Sequence, residues 1–224
     1  MIAERLKHIL EELPPDVKLV AVSKFHPAEA VMEAYEAGQR SFGENRPQEL
    51  AAKAEVLPKD IEWHFIGHLQ TNKLKMVLPY AAMVQSVDSV HLLQAIDRWG
   101  SGHDRVIDVL LELHIGQEQT KQGLYEEEIL DILFDHEKYT HVRFRGLMGM
   151  ATNTEDMETV AADFGRIDAF MAYLVGLFPE LEAFDQLSIG MSGDYAEALK
   201  HGSTIVRIGT AIFGERDPRK DTIQ

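Results

Sequence analysis

The chain has 224 residues, enough for one large domain, and its net charge of −15 comes from 22 basic and 37 acidic residues. Such a negative charge disfavours non-specific nucleic-acid binding, and the absence of cysteine excludes disulfide bonds and thiol chemistry. The first 13 residues contain no signal-peptide core, and the apolar runs are too short to span a bilayer. We therefore expect a soluble, cytoplasmic protein with no nucleic-acid or membrane partner.

Strand-like and helix-like stretches alternate along the chain. Apolar residues at helical spacing predict a first helix that ends before Pro14-Pro15. Thr154 is predicted to cap the longest helix, with Glu155 and Asp156 in its first turn. Strands are predicted at residues 19–24, 40–43, 61–66, 83–87, 106–113, 142–148, 184–189 and 204–208, and helices at 2–13, 27–37, 47–56, 72–78, 89–99, 125–134, 154–178 and 194–201.

Eight strands that alternate with helices predict a parallel α/β fold, and 224 residues are close to the usual length of a (β/α)8 TIM barrel. Only a short polar tail, residues 215–224, is expected after the eighth strand, so the first helix could take the place of the last one. We predict one barrel domain over residues 1–224. A doubly wound open sheet is the alternative, because strand count alone does not distinguish the two.

Residues 19–24 combine a buried-strand pattern with a terminal amine. The apolar run at residues 19–22 leads through Ser23 to Lys24, and Phe25-His26-Pro27 then breaks the strand. Burial disfavours the ammonium form and lowers its pKa, which leaves a nucleophilic amine able to condense with a carbonyl. The alternative is that Lys24 emerges into solvent, as most lysines at strand ends do.

The loops after the last two strands have the composition of a phosphate site. Barrels often bind phosphate with these loops, which here are residues 190–194, including Ser192, and Gly209-Thr210. Glycines let the backbone approach an anion, and N–H groups and hydroxyls donate to its oxygens. Ordinary turns use the same residue types, so the loops alone do not decide between a phosphate site and ordinary turns.

Arg207 lies within an apolar strand, where a guanidinium needs a partner. It either pairs with a barrel carboxylate or donates to a bound ligand. Lys24 across the barrel mouth from a phosphate site suggests a phosphorylated aldehyde held as an imine. His64 and His68 are four residues apart, but they lie in a predicted strand rather than a helix, so no metal site is expected.

Several motifs match one known family, in order and over nearly the whole chain. They are residues 20–24 (VAVSK), 42–45 (FGEN), 63–73 (WHFIGHLQTNK), 145–148 (RGLM), 187–194 (LSIGMSGD) and 202–214 (GSTIVRIGTAIFG). On these motifs the chain resembles the pyridoxal phosphate homeostasis proteins. The resemblance implies a single (β/α)8 barrel of the fold-type III class, similar to the N-terminal barrel of alanine racemase.

The resemblance also implies a site for pyridoxal 5′-phosphate (PLP), bound as a Schiff base. Lys24 would form the internal aldimine, and Asn45 would lie near the cofactor ring. Arg207 would face the pyridine nitrogen. The phosphate would be held by Ser192, Gly209 and Thr210.

The sequence departs from the family's commonest pattern in two places. Phe25-His26 stands where a threonine and a variable residue often follow the lysine, and Arg46-Pro47 replaces the usual Tyr-Val. Both departures are expected at the rim of the barrel. There they would alter cofactor exchange or partner contacts rather than the phosphate site.

Two features favour a PLP carrier over an enzyme. The chain stops about ten residues after Gly214, which leaves no room for the second domain that gives related racemases another acid/base group. Arg207 has no acceptor and would keep the ring nitrogen unprotonated, which weakens the ring as an electron sink. We expect a monomer that buffers PLP or delivers it to apo PLP-dependent enzymes. An amino-acid racemase and a PLP-free barrel that binds a sugar phosphate are the alternatives.

Overall fold

Eight parallel strands close into a barrel in the computed structural model, which describes residues 1–116 and 122–215. Each strand pairs with its neighbours in sequence, and the last pairs with the first, for example through Val206 and Leu19. The strands are β1 Lys18–Val22, β2 Ser41–Glu44, β3 Glu62–Phe65, β4 Ala81–Val87, β5 Ile107–Glu112, β6 Val142–Met148, β7 Gln186–Ser188 and β8 Ile205–Ile208. The predicted (β/α)8 barrel is confirmed, and the closed sheet excludes the open doubly wound alternative.

Helices follow the strands around the outside of the barrel. They are α1 Ile2–Glu12, α2 Ala28–Glu36, α3 Pro47–Val56, α4 Leu74–Val77, α5 Val90–His103, α6 Glu126–Phe134, α7 Met157–Leu177, α8 Tyr195–Ala198 and α9 Thr210–Phe213. Helix α1 packs against α2 and against α9, the short helix that follows β8. It therefore lies next to the position of the last helix, which it was expected to fill, but α9 is found there as well. Within the described residues, none of the helices is long and apolar enough to cross a membrane.

Several predicted element ends differ from the structure, for example that of α5, which extends to His103, and three further differences have a clear physical reason. Strand β1 ends at Val22 rather than Lys24, because the chain turns after Ser23, whose carbonyl accepts from His26 N. Asp156 rather than Thr154 caps α7, since its carboxylate accepts from Glu158 N at 3.1 Å. The short helix α9 was not predicted, because four residues are too few to show helical periodicity. The predicted polar tail lies, from residue 216 onward, outside the described residues.

Two apolar regions hold the barrel together. The larger one lies between strands and helices and includes the fully buried Phe42, Phe65 and Phe164. A smaller cluster of buried side chains fills the barrel itself, and we call it the interior cluster: Val20, Met83, Leu110, Met148 and Ile205. Because this cluster closes the barrel in the middle, a ligand is received at the carboxyl ends of the strands, where the active sites of such barrels lie.

Candidate cofactor site

A cavity of about 310 Å³ opens at the carboxyl ends of the strands. This volume is at the lower end of the range typical of small-molecule sites. The six residues predicted from the sequence to bind the cofactor all line it: Lys24, Asn45, Ser192, Arg207, Gly209 and Thr210. The apolar part of the wall comes from Val22, Ile66, Met150 and Met191. The structure therefore brings together residues that are up to 186 positions apart in the sequence.

The charge of the cavity wall is opposite to that of the protein. Although the net charge is −15, Lys24 and Arg207 are the only charged side chains among the described residues that line the cavity. Lys24 is partly buried rather than fully solvated at the end of its strand. Two cationic side chains in the wall favour an anionic ligand.

Arg207 is 4% exposed, and its guanidinium is held by neutral acceptors. One terminal nitrogen donates to Ser188 O and Ser188 Oγ, both at 2.7 Å, and the other donates to Gly149 O at 3.0 Å. Burial lowers the pKa of Arg207 to about 10, against the opposing effect of Glu112 and Asp194. The guanidinium is therefore still protonated at neutral pH. Within residues 1–116 and 122–215, the hydrogen-bond acceptors of its guanidinium are uncharged oxygens rather than the carboxylate of an internal ion pair.

A chain of hydrogen bonds continues from Arg207 into the barrel. Ser188 Oγ donates to Gln85 Oε1 at 2.7 Å, and Gln85 Nε2 lies 2.8 Å from His64 Nδ1. Burial lowers the pKa of His64 to about 4, so its imidazole is neutral at physiological pH. His68 lies instead at the rim, with Nδ1 2.8 Å from Asp88 Oδ2.

The two histidines therefore do different things and do not form a metal pair. Among the side chains that the structure describes, no group of three or more histidine, aspartate or glutamate residues could hold a metal ion.

Glu112 is a buried carboxyl at the carboxyl end of β5 and was not predicted from the sequence. Side chains alternate along a strand, and Leu110 belongs to the interior cluster, so Glu112 also points into the barrel. Burial, and then the nearby Asp88, raise the pKa of this carboxyl to about 7, while Arg207 and His68 lower it. The only sequence signal is its position at the end of a barrel strand, which it shares with several residues.

The predicted phosphate loops meet at one side of the cavity. Ser192 Oγ accepts from Gly209 N at 3.3 Å and from Ala211 N at 3.5 Å. A side chain at Gly209 would place its Cβ 3.1 Å from Val22 O, and one at Gly193 would meet no atom within 4 Å. The loop after β7 therefore has open space beside its backbone, next to the hydroxyl of Ser192 and the start of α9. Such a cradle suits a phosphate group.

Asn45 supplies an unsatisfied polar atom to the cavity wall. Its Oδ1 is buried and has no hydrogen-bond partner among the described residues. Buried side-chain oxygens in proteins are nearly always hydrogen-bonded, so this atom is poised to accept from a bound ligand. With the two cations and the phosphate cradle, the residues present fit a phosphorylated ring compound that carries an aldehyde.

Two buried charged side chains, Lys53 and Glu44, stabilise the turn that carries Lys24, and neither was predicted from the sequence. Lys53 of α3 donates to Ser23 O at 2.8 Å and to Glu44 Oε1 at 2.5 Å. Ser23 Oγ donates to the same Glu44 oxygen at 2.6 Å. Burial raises the pKa of Glu44, although the adjacent Lys53 opposes the shift. The spacing of Glu49 and Lys53, four apart on a predicted helix after Glu44, was the available signal.

The two departures from the family pattern contact each other. The Arg46 guanidinium carbon lies 4.4 Å from the centre of the Phe25 ring, a cation–π arrangement. The His26 ring stacks on Phe213 of α9 with centroids 5.1 Å apart. Pro47 begins α3 at a position where proline is favoured. Phe25-His26 follows the end of β1 and Arg46-Pro47 follows the end of β2, so both departures lie at the rim of the barrel, as expected.

The family follows from comparison with known proteins. The family model described as "Alanine racemase, N-terminal domain" matches residues 1–217. A pyridoxal phosphate homeostasis protein of Vibrio alginolyticus is 37% identical over 96% of this chain and 98% of its own length. The chain belongs to the pyridoxal phosphate homeostasis protein family. The resemblance inferred from the motifs is thereby confirmed.

Further comparisons extend the match. The pyridoxal phosphate homeostasis protein of Aquifex aeolicus is 37% identical over 95% of this chain and 97% of its own length. PipY of Synechococcus elongatus PCC7942, solved with PLP bound, is 38% identical, with a TM-score of 0.87 over 96% of this chain and all of that one. An alanine racemase of Clostridium difficile 630 superposes with a TM-score of 0.79 over 97% of this chain and 56% of that one. At 15% identity, this last match shows the shared fold alone.

Proposed function

We propose that this protein holds pyridoxal 5′-phosphate in the cavity, covalently attached to Lys24, and acts in PLP homeostasis without catalytic turnover. The observation that carries the proposal is the wall of the cavity, where a lysine, an arginine and a phosphate cradle meet in an otherwise acidic protein. The names of the relatives, and the PLP bound to PipY, support it.

Each residue has a distinct part in this proposal. PLP would supply an aldehyde, a group with which a primary amine condenses with loss of water. Lys24 supplies that amine from a partly buried position in the cavity wall. Asn45 Oδ1 accepts a hydrogen bond near the ring. The phosphate is held by Ser192, Gly209 and Thr210.

Arg207 supports a carrier rather than a racemase. Its guanidinium is protonated at neutral pH, donates only, and is fixed by Ser188 and Gly149. In the proposed role Arg207 would face the ring nitrogen of the cofactor, and a group that can only donate would leave that nitrogen without a proton. Carbanion chemistry needs the ring as an electron sink, so the arrangement disfavours efficient turnover.

We further propose that residues 1–224 form one PLP-binding domain, that the protein acts as a cytoplasmic monomer, and that its partners are apo PLP-dependent enzymes. Transfer of PLP from the loaded protein to such an enzyme measures the last of these directly.

Reduction with borohydride tests the covalent attachment. Borohydride converts a C=N bond between the cofactor and a lysine into a stable amine. We expect the purified protein incubated with PLP to absorb visible light and, after reduction, to carry one pyridoxyl group on Lys24 by peptide mass mapping. Lys24→Ala should keep the fold and lose both the colour and the label, because no other lysine lines the described cavity wall.

Other outcomes distinguish the remaining functions. A label on another lysine, with Lys24 unmodified, would refute the proposed site. Sustained racemisation of any amino acid, lost on Lys24→Ala, would favour an enzyme over a carrier. A protein that takes up no PLP but binds a sugar phosphate would favour the PLP-free alternative.

A further inference from the structure

Helix α3 contacts the turn that carries Lys24 through two hydrogen bonds, one to the residue before Lys24 and one to the residue after it. On the side before Lys24, the Lys53 ammonium donates to Ser23 O. On the side after it, Phe25 N donates to Glu49 Oε2 at 2.9 Å. The two α3 side chains lie one helical turn apart, and their charged atoms are 3.7 Å from each other. They therefore form a single charged unit that contacts the residue on either side of Lys24.

The turn needs such support because its backbone is strained. Phe25 has φ +65°, in the left-handed region that bulky residues other than glycine rarely adopt. Such a conformation persists only where surrounding contacts hold it. Here the amide of Phe25 is held by Glu49, and its ring lies under Arg46, which is also 3.4 Å from Glu49 Oε1.

The side chains of Lys53 and Glu49 differ in how deeply they are buried. The side chain of Lys53 is 8% exposed and shares Glu44 with Ser23, so its loss would leave a buried carboxylate without its cation. The side chain of Glu49 is 24% exposed and can be changed with less risk to the fold. Glu49 is therefore the better position for an experiment.

Resting on the proposed function, we propose that Glu49 and Lys53 are positioning residues that clamp the Lys24 turn and set the rate at which PLP leaves. A clamped turn holds Nζ where it can attach to the cofactor. When the turn relaxes, Phe25 can leave its strained conformation and Lys24 moves away from the cavity. The clamp thus links the first turns of α3 to cofactor exchange, although neither residue lines the cavity.

Glu49→Ala tests the clamp in the full chain loaded with PLP. We expect PLP to transfer about tenfold faster to an excess of an apo PLP-dependent enzyme, because a hydrogen bond to a charged group contributes about 1.4 kcal/mol or more. The amide hydrogen of Phe25 should also exchange faster with solvent in the cofactor-free protein, since its acceptor is gone.

The controls separate the clamp from a general effect on α3. Glu55→Ala removes an exposed carboxylate from the far end of the same helix and should leave both rates unchanged. Glu49→Gln keeps an oxygen that can accept from Phe25 N, and it should restore much of the amide protection and slow release again.

The clamp is refuted if Glu49→Ala releases PLP at the wild-type rate, or if Glu55→Ala speeds release equally. Should the wild-type protein take up no PLP and gain no label on Lys24, the proposed function fails instead. The amide exchange of Phe25 still reports on the clamp in that case, because it is measured without cofactor.

Discussion

Gly67→Ala is expected to unfold or severely destabilise the protein and to abolish retention of PLP. A Cβ atom at Gly67 would lie 2.3 Å from Asn45 O and 2.8 Å from Asn45 Cα, separations that real Cβ atoms do not show. The colliding atoms belong to the backbone, so a change of rotamer cannot relieve the contact. Because Asn45 lines the cavity, any shift that makes room also displaces its Oδ1, which has no hydrogen-bond partner in the described part of the chain. We expect a loss of about 3 kcal/mol or more in the free energy of unfolding.

Gly193→Ala is the matched control for this prediction. Gly193 lines the same cavity, but a Cβ there would meet no atom within 4 Å. Urea unfolding should give a stability close to wild type for Gly193→Ala and far below it for Gly67→Ala. Equal stability of the two variants would show that the strand ends around Asn45 adapt more easily than the close approach implies.

Glu112 should make the stability of the fold depend on pH. Its pKa is raised from 4.5 to about 7, chiefly by burial, so the folded state prefers the neutral carboxyl. A raised pKa of this kind contributes stability that is fully present below about pH 4.5 and is lost as the pH rises through about 7. At 1.36 kcal/mol for each pKa unit, the full loss is about 3 kcal/mol.

Glu112→Gln removes this dependence while keeping the shape of the side chain. We measure the free energy of unfolding of both proteins with urea. The value for the variant minus that for wild type should increase by about 2 to 3 kcal/mol from pH 5 to pH 8. His64, whose pKa is lowered to about 4, destabilises both proteins as the pH falls below about 6.5, and its effect cancels in the difference. Parallel stability curves for the two proteins would contradict the prediction and indicate that Glu112 has its ordinary pKa in the folded state.

The barrel and the residues that line its cavity could be predicted from the sequence for one reason. Parallel strands end at the same rim, so Lys24 after the first strand, Asn45 after the second and Thr210 after the eighth had to converge once the strands were recognised. The period of the apolar residues was enough for that recognition. The cofactor roles of these side chains were inferred from the family motifs, and they remain predictions.

Other features depend on tertiary contacts that a sequence does not show. The turn after Ser23 exists because α3 holds it, through a lysine and a glutamate that look like an ordinary surface pair. The N-cap of α7 is Asp156 rather than the predicted Thr154. Both residue types cap helices well, so the choice depends on where the loop runs. Nothing local marks Glu112 as nearly neutral, because its pKa depends on burial.

The cationic wall of the cavity has a consequence for the lifetime of the protein. A ligand that binds the folded chain and not the unfolded one lowers the unfolded fraction by mass action, and the effect grows with its free concentration. Here the two like charges, Lys24 and Arg207, face a space that no described acidic side chain enters, so an anion that fills it gains from both. Proteases that attack unfolded chains would then remove the empty protein faster than the loaded one, and the amount of the protein in a cell would follow the supply of its ligand.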